Sequence, residues 1–122
     1  MGGTQKDSKI EIKIGTNRFC VLKGMFAYKF PLGRRGRKAN EIEYTNYLSH
    51  RDIVARTEKH WWGLKQERLT ETQIYALGEC NVKEEHKPLL PYALHNRMQV
   101  GKDKHGNWKF FDYEDVKYYI NA

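Results

Sequence analysis

The sequence predicts an α+β domain: an N-terminal β-hairpin, a central helical group, a wing-like C-terminal β-hairpin and a closing helix. Three observations carry this expectation. Lys9-Ile-Glu-Ile-Lys-Ile14 alternates charged and apolar residues with period two, the signature of a half-buried strand. From residue 40 to about 79 the apolar residues move to helix-like spacing behind polar capping residues. Gly101-Lys-Asp-Lys-His-Gly106 is a glycine-bounded turn between two short apolar runs, which reads as a hairpin with a basic tip.

In chain order, Ile10, Ile12 and Ile14 share one strand face, and Gly15-Thr-Asn-Arg18 supplies turn chemistry. Phe19 to Phe30 reads as a second strand, with a bulge or bend at Gly24. Pro31-Leu-Gly-Arg-Arg-Gly-Arg-Lys38 reads as a loop, because its two glycines keep the backbone adaptable. Asn40 is expected to cap a first helix, with Glu41 and Glu43 in the first turn and Ile42, Tyr44, Tyr47 and Leu48 at helical spacing. Ser49-His-Arg-Asp52 resembles a capping box for a second helix bearing Ile53, Val54, Trp61 and Leu64. Thr70-Glu-Thr-Gln73 is a better box for a third, with Ile74, Tyr75 and Leu77 inside and Gly78 as its stop. Residues 81–91 contain Pro88 and Pro91 and read as a loop before a short helical or extended piece over 92–97. Asp112 is expected to cap the closing helix, which carries Tyr113, Val116, Tyr119 and Ile120.

The 122 residues fit one domain over 1–122, with residues 1–8 an unstructured lead. Mean hydropathy is −0.85, but eight Tyr, five Phe and three Trp supply large buriable surfaces that a disordered chain lacks. No run approaches the roughly 18 apolar residues of a membrane span, and the first residues carry no apolar signal-peptide core. A cytoplasmic location without membrane contact is the expectation. Cys20 and Cys80 have no Cys-x-x-Cys spacing, so both are expected reduced and buried.

The charge is unevenly spread. Residues 1–39 hold ten Lys/Arg against Asp7 and Glu11, a net of +8, while the remainder nets −1. Such asymmetry, with a pI near 9.4, suggests a surface for a polyanion. The densest cluster is Arg34, Arg35, Arg37 and Lys38. Planar guanidinium groups grip phosphate with two donors at once, and Lys29 is expected to assist.

Catalytic signals are sparse. His50, His60, His86, His95 and His105 show no ligand spacing, and His50 and His60 on one helix would lie about 15 Å apart, too far for one metal. A metal-dependent nuclease would need Glu41, Glu43 and Asp52 to converge through the fold. Gly33-Arg-Arg-Gly36 lacks the P-loop ending, so no cofactor is predicted. Tyr44 and Tyr47 lie on the apolar stripe and are assigned to the core. Trp61-Trp62 is unusual, because adjacent helical positions diverge by about 100° and both rings cannot enter one small core. An exposed indole beside Lys59 and Lys65 can stack on a base or anchor a protein partner.

Residues 69–121 resemble the winged helix-turn-helix of excisionase and MerR-type DNA-binding proteins. Leu69-Thr-Glu-Thr-Gln-Ile-Tyr-Ala-Leu-Gly78 matches the first helix, residues 100–110 the wing, and residues 111–120 the helix after it. The resemblance implies a helix in the major groove and puts Lys102, Lys104 and His105 at the wing tip. The chain departs from that pattern over residues 81–94, where Glu84, Glu85, Pro88 and Pro91 occupy the recognition segment.

Together these features predict a non-catalytic DNA- or RNA-binding protein, a regulator or accessory factor of bacteriophage or mobile-element type. Its contacts would be Lys29, Arg34, Arg35, Arg37, Lys38, Lys102 and Lys104. The alternative is a module that inhibits a host nucleic-acid-handling enzyme, anchored by Trp61 or Trp62; a nuclease is the third reading.

Overall fold

The computed structural model describes residues 10–76, 81–92, 97–111 and 118–121. Among these residues the chain is α+β, with one six-stranded and one three-stranded antiparallel sheet, an α-helix and a 3-10 helix. The predicted N-terminal hairpin is present as β1 (Ile10–Ile14) and β2 (Arg18–Lys23), paired in the register Ile14↔Phe19 and Ile12↔Val21. The bulge or bend expected at Gly24 is a second tight turn. Gly24 takes φ +60, and β3 (Phe26–Pro31) folds back on β2 with Lys23 opposite Phe26.

The basic segment is not a loop. It forms the first turns of α1 (Gly33–Ser49), since Arg, Lys and Ala are good helix formers and outweigh the two glycines. Asn40 therefore lies inside the helix rather than at its cap, and Leu32 occupies the cap position without a side-chain hydrogen bond.

Residues 49–76 depart furthest from expectation. His50 closes α1, its N–H bonding the carbonyls of Asn46 and Tyr47. Then β4 (Thr57–His60) and β5 (Gly63–Glu67) form a hairpin whose β5 pairs with β3. The next segment is β6 (Thr70–Ala76), where Tyr75 points inward and Ile74 and Ala76 outward. Both capping boxes are overruled by strand pairing, because a partner edge satisfies the whole backbone ladder and a cap satisfies one or two donors. Leu77, Gly78 and Cys80 lie outside the described residues.

The loop expected at 81–91 is largely a 3-10 helix, Glu84–Tyr92, with Pro88 and Pro91 inside it. The C-terminal hairpin is present as β7 (Arg97–Lys102) and β8 (Trp108–Phe111), and β6 extends it to the order β6-β7-β8. Of the expected closing helix, residues 112–117 lie outside the described residues, and Tyr118–Asn121 is a strand, β9. β9 pairs with β1, completing the order β4-β5-β3-β2-β1-β9.

The large sheet has two unlike faces. Arg18, Cys20 and Leu22 of β2, Ala27 and Lys29 of β3, and Leu64 and Gln66 of β5 are buried on the inner face, against which α1 packs through β3, β4 and β5. Cross-strand register puts Ile10, Ile12, Ile14, Phe19, Val21, Phe26, Tyr28 and Phe30 on the other face, all half-buried. Phe19 stacks on Phe30 with centroids 4.8 Å apart.

One apolar cluster joins Cys20, Leu22, Ala27, Ala55, Leu69 and Phe111. A second, under the small sheet, joins Val54, Tyr75, Val82, Leu89, Met98, Val100 and Phe110. The sheets are tied where Phe110 donates its N–H to the Ile53 carbonyl (2.8 Å) and accepts from the Ala55 N–H (3.0 Å). Tyr47 packs on the second cluster, as its stripe position predicted.

Candidate nucleic-acid interface

Arg34, Arg35, Arg37 and Lys38 all face solvent from the first turns of α1. None makes a side-chain hydrogen bond or ion pair among the described residues. The placement opposes helix electrostatics. The N-terminal end of a helix carries partial positive charge and favours acids, yet the first turn of α1 holds none.

What fixes this end of the helix is Gly36. A Cβ there would fall 2.1 Å from the Asn17 carbonyl oxygen and 2.9 Å from Pro31 Cα. Glycine thus lets α1 lie directly on the β1–β2 turn, with the basic side chains directed outward.

Lys29 does not belong to this surface. It is 1% exposed, and its ammonium pairs with the Glu43 carboxylate on the inner face of the sheet. A buried cation needs a buried partner, and the alternation of β3 turns Lys29 inward with Ala27. Glu43 also meets Arg18 Nη1 at 2.8 Å and accepts from Gln66 Nε2 at 2.8 Å. Arg18 Nη1 donates to Asn40 Oδ1 at 2.7 Å, and Gln66 Nε2 donates to Thr57 Oγ1 at 2.9 Å. Asn40, expected as a cap, is a member of this network. Cys20 lies beside it, and burial pushes its thiol up to about 11, so it is an unreactive core residue.

Trp61 and Trp62 form the two-residue turn of the β4–β5 hairpin, not a helix, with His60 opposite Gly63. One indole is exposed, as expected: Trp61 is 96% accessible. Trp62 folds onto the outer face of the large sheet, 5.2 Å from Phe30, 5.9 Å from Tyr28 and stacked on His60 at 5.0 Å. Beside Trp61 opens a cleft of ≈ 230 Å³ lined by Arg37, Glu41, Lys59 and His60 among others. It brings one cation of the α1 cluster together with the exposed indole. Sequence reasoning placed Lys59 near Trp61 but missed His60 and Glu41 as cleft residues. Leu64-Lys-Gln-Glu67 carries no apolar alternation, because the inward position after Leu64 is the polar Gln66, so β5 and its hairpin left no local signal.

The wing-tip lysines stand apart from that cleft. Lys102 pairs with Glu71 at 3.2 Å and lies over the Trp108 ring at 5.1 Å. Lys104 is exposed and lines a second cleft with Arg56, Lys65 and Lys109. The tip is rigidified by Asp103, which accepts from the N–H groups of His105 and Asn107, each at 2.9 Å. Burial alone would raise its pKa, but those N–H groups and Lys109 hold the carboxylate below its ordinary value. The segment matched to a winged-helix first helix is strand β6.

Glu41 and Asp52 are exposed, Glu43 is consumed by Arg18 and Lys29, and no three His, Cys, Asp or Glu among the described residues group as metal ligands. His50 and His60 lie on different elements, the end of α1 and β4. No helix among the described residues is long and apolar enough to cross a membrane.

Fold and site define an α+β domain that presents an open cationic helix end beside a solvent-projecting indole. Compared with known protein families, curated proteins and solved structures, the chain has no match.

Proposed function

We propose that this protein binds nucleic acid, DNA or RNA, through the N-terminal end of α1, as a non-catalytic accessory or regulatory factor. One observation carries the reading: four cations stand unpaired among the described residues at the positive pole of a helix, where folding stability alone would favour acids. A phosphate backbone supplies the missing anions, and the helix N–H groups add to its attraction. Lys104 extends the basic surface, and Lys102 contributes less because Glu71 holds it.

The test is titration of a labelled oligonucleotide at several salt concentrations. Log affinity is expected to fall linearly with log salt, by about 0.7 to 0.9 per phosphate contact. Replacing Arg34, Arg35, Arg37 and Lys38 together by Ala should flatten that slope. If no oligonucleotide binds, the same surface meets acidic side chains of a protein instead, and the nucleic-acid reading is wrong.

A second reading rests on the buried ion pair. In protein kinases a lysine on the third strand, within a Val-Ala-Ile-Lys run, holds the α- and β-phosphates of ATP and pairs with a glutamate of the next helix. Here Phe26-Ala-Tyr-Lys29 lies on β3 and Glu43 on α1. The glycine-rich loop of those enzymes is reduced, since the β1–β2 turn keeps Gly15 but has Asn17 and Cys20 where two further glycines would fall. Lys29 is 1% exposed beneath α1, so a triphosphate would need that face to open. Raised thermal stability with MgATP would support nucleotide binding, and an unchanged melting temperature at saturating MgATP would exclude it.

A further inference from the structure

We propose that the nucleic acid is single-stranded and that Trp61 is its base-stacking platform, with the Arg37–Lys59–His60 cleft holding the adjoining nucleotide. This rests on the nucleic-acid reading above and names its substrate class.

Trp61 has no structural duty to explain it. It is 96% exposed at the tip of a two-residue turn, whereas its neighbour Trp62 is engaged by three rings. A tight hairpin ordinarily takes Asn, Asp or Gly at such positions, so a free indole there is costly in solvent and useless to the core. The turn is nonetheless anchored, because Trp62 and His60 stack on the sheet and Gly63 abuts the Lys29 carbonyl. The indole is thus presented on a fixed base.

Its surroundings supply the rest of a nucleotide site. Arg37 and Lys59 offer cations for the flanking phosphate, and Glu41 offers an acceptor for a base amino group. Stacking on a free indole requires an unpaired base, because in a duplex both faces of each base are already covered. A base against an aromatic ring with cations tracking the backbone is the common mode of single-strand recognition. A duplex would meet only the cations of α1, with phosphate contacts that ignore strandedness.

The experiment measures binding of one labelled oligonucleotide, free and annealed to its complement, to the whole protein and two variants. The wild-type chain should prefer the single strand. Trp61→Ala should weaken single-strand binding about 5- to 150-fold while leaving its salt slope and the duplex affinity unchanged. Trp61→Phe should restore most of the loss. Because Trp61 touches little, circular dichroism should show both variants folded. Equal affinity for the two forms, or wild-type single-strand binding by Trp61→Ala, overturns the inference and leaves phosphate-driven binding intact. Absence of salt-dependent binding to either form overturns the parent reading as well.

Discussion

At the scale of single residues, Glu43 and His86 set how the fold responds to perturbation. Glu43 is 4% exposed and pairs with both Arg18 and Lys29, which face it. Glu43→Ala removes the carboxylate that both buried cations meet and is expected to cost about 3–5 kcal/mol in urea unfolding. Converting Arg18, Lys29 and Glu43 together to apolar residues of similar size should recover most of that loss, because desolvation of the ions is then also removed. His86 is fully buried, its Nδ1 2.9 Å from the Tyr75 hydroxyl and its ring 4.2 Å from that of Trp108. Burial pushes its pKa below 6.5, and Glu85 only partly opposes this. The unfolded chain therefore takes up a proton first. Stability is full above pH 6.5 and declines as pH falls from there toward the lowered folded-state value. Melting temperature against pH should show this decline in the wild-type chain and not in His86→Gln. The loss from Asp103, whose pKa lies below 3.8 when folded, belongs to a separate and more acid window.

At the scale of elements, α1 combines a role in folding with one in recognition, and the two conflict at its first turn. Arg34→Glu and Arg35→Glu should each stabilise the fold by about 0.3–1 kcal/mol by matching the helix dipole, while oligonucleotide affinity falls and its salt slope flattens. Thermal unfolding and binding, measured on the same variants, should move in opposite directions. The elements also mark where sequence was informative. β1 and the β7–β8 hairpin were legible because period-two alternation in Ile10, Ile12 and Ile14 and a glycine-bounded turn are local signals. β4, β5 and β6 were not, because Ser49-His-Arg-Asp52 and Thr70-Glu-Thr-Gln73 satisfy a short-range cap rule while β3 and β7 offer strand partners distant in sequence. The β4–β5 turn hid behind two tryptophans, residues no turn rule expects.

Over the whole molecule, a charge count overstates the cationic surface. Of the N-terminal cations, Arg18 and Lys29 are spent on Glu43, and burial lowers the pKa of Lys13. Among the described N-terminal residues the exposed cations are the α1 cluster and Lys23. Composition pointed to a cationic surface, and of the five N-terminal cations singled out in the sequence Arg34, Arg35, Arg37 and Lys38 are exposed while Lys29 is not. It could not reveal that Lys29 points inward, since a strand's facing is decided by what packs on it.

That facing has a consequence for how β3 finds its phase. Slipping β3 by one residue would bring Phe26, Tyr28 and Phe30 beneath α1 and turn Lys29 out to water. Apolar burial alone would favour the slipped arrangement, since three half-buried rings would be covered by a helix. The Glu43 carboxylate opposes it, for it would then keep Arg18 but lose the lysine ammonium and face aromatic carbon in its place. The ion pair thus acts as a key cut for one alignment, and the native pairing is selected by the penalty on its nearest competitor.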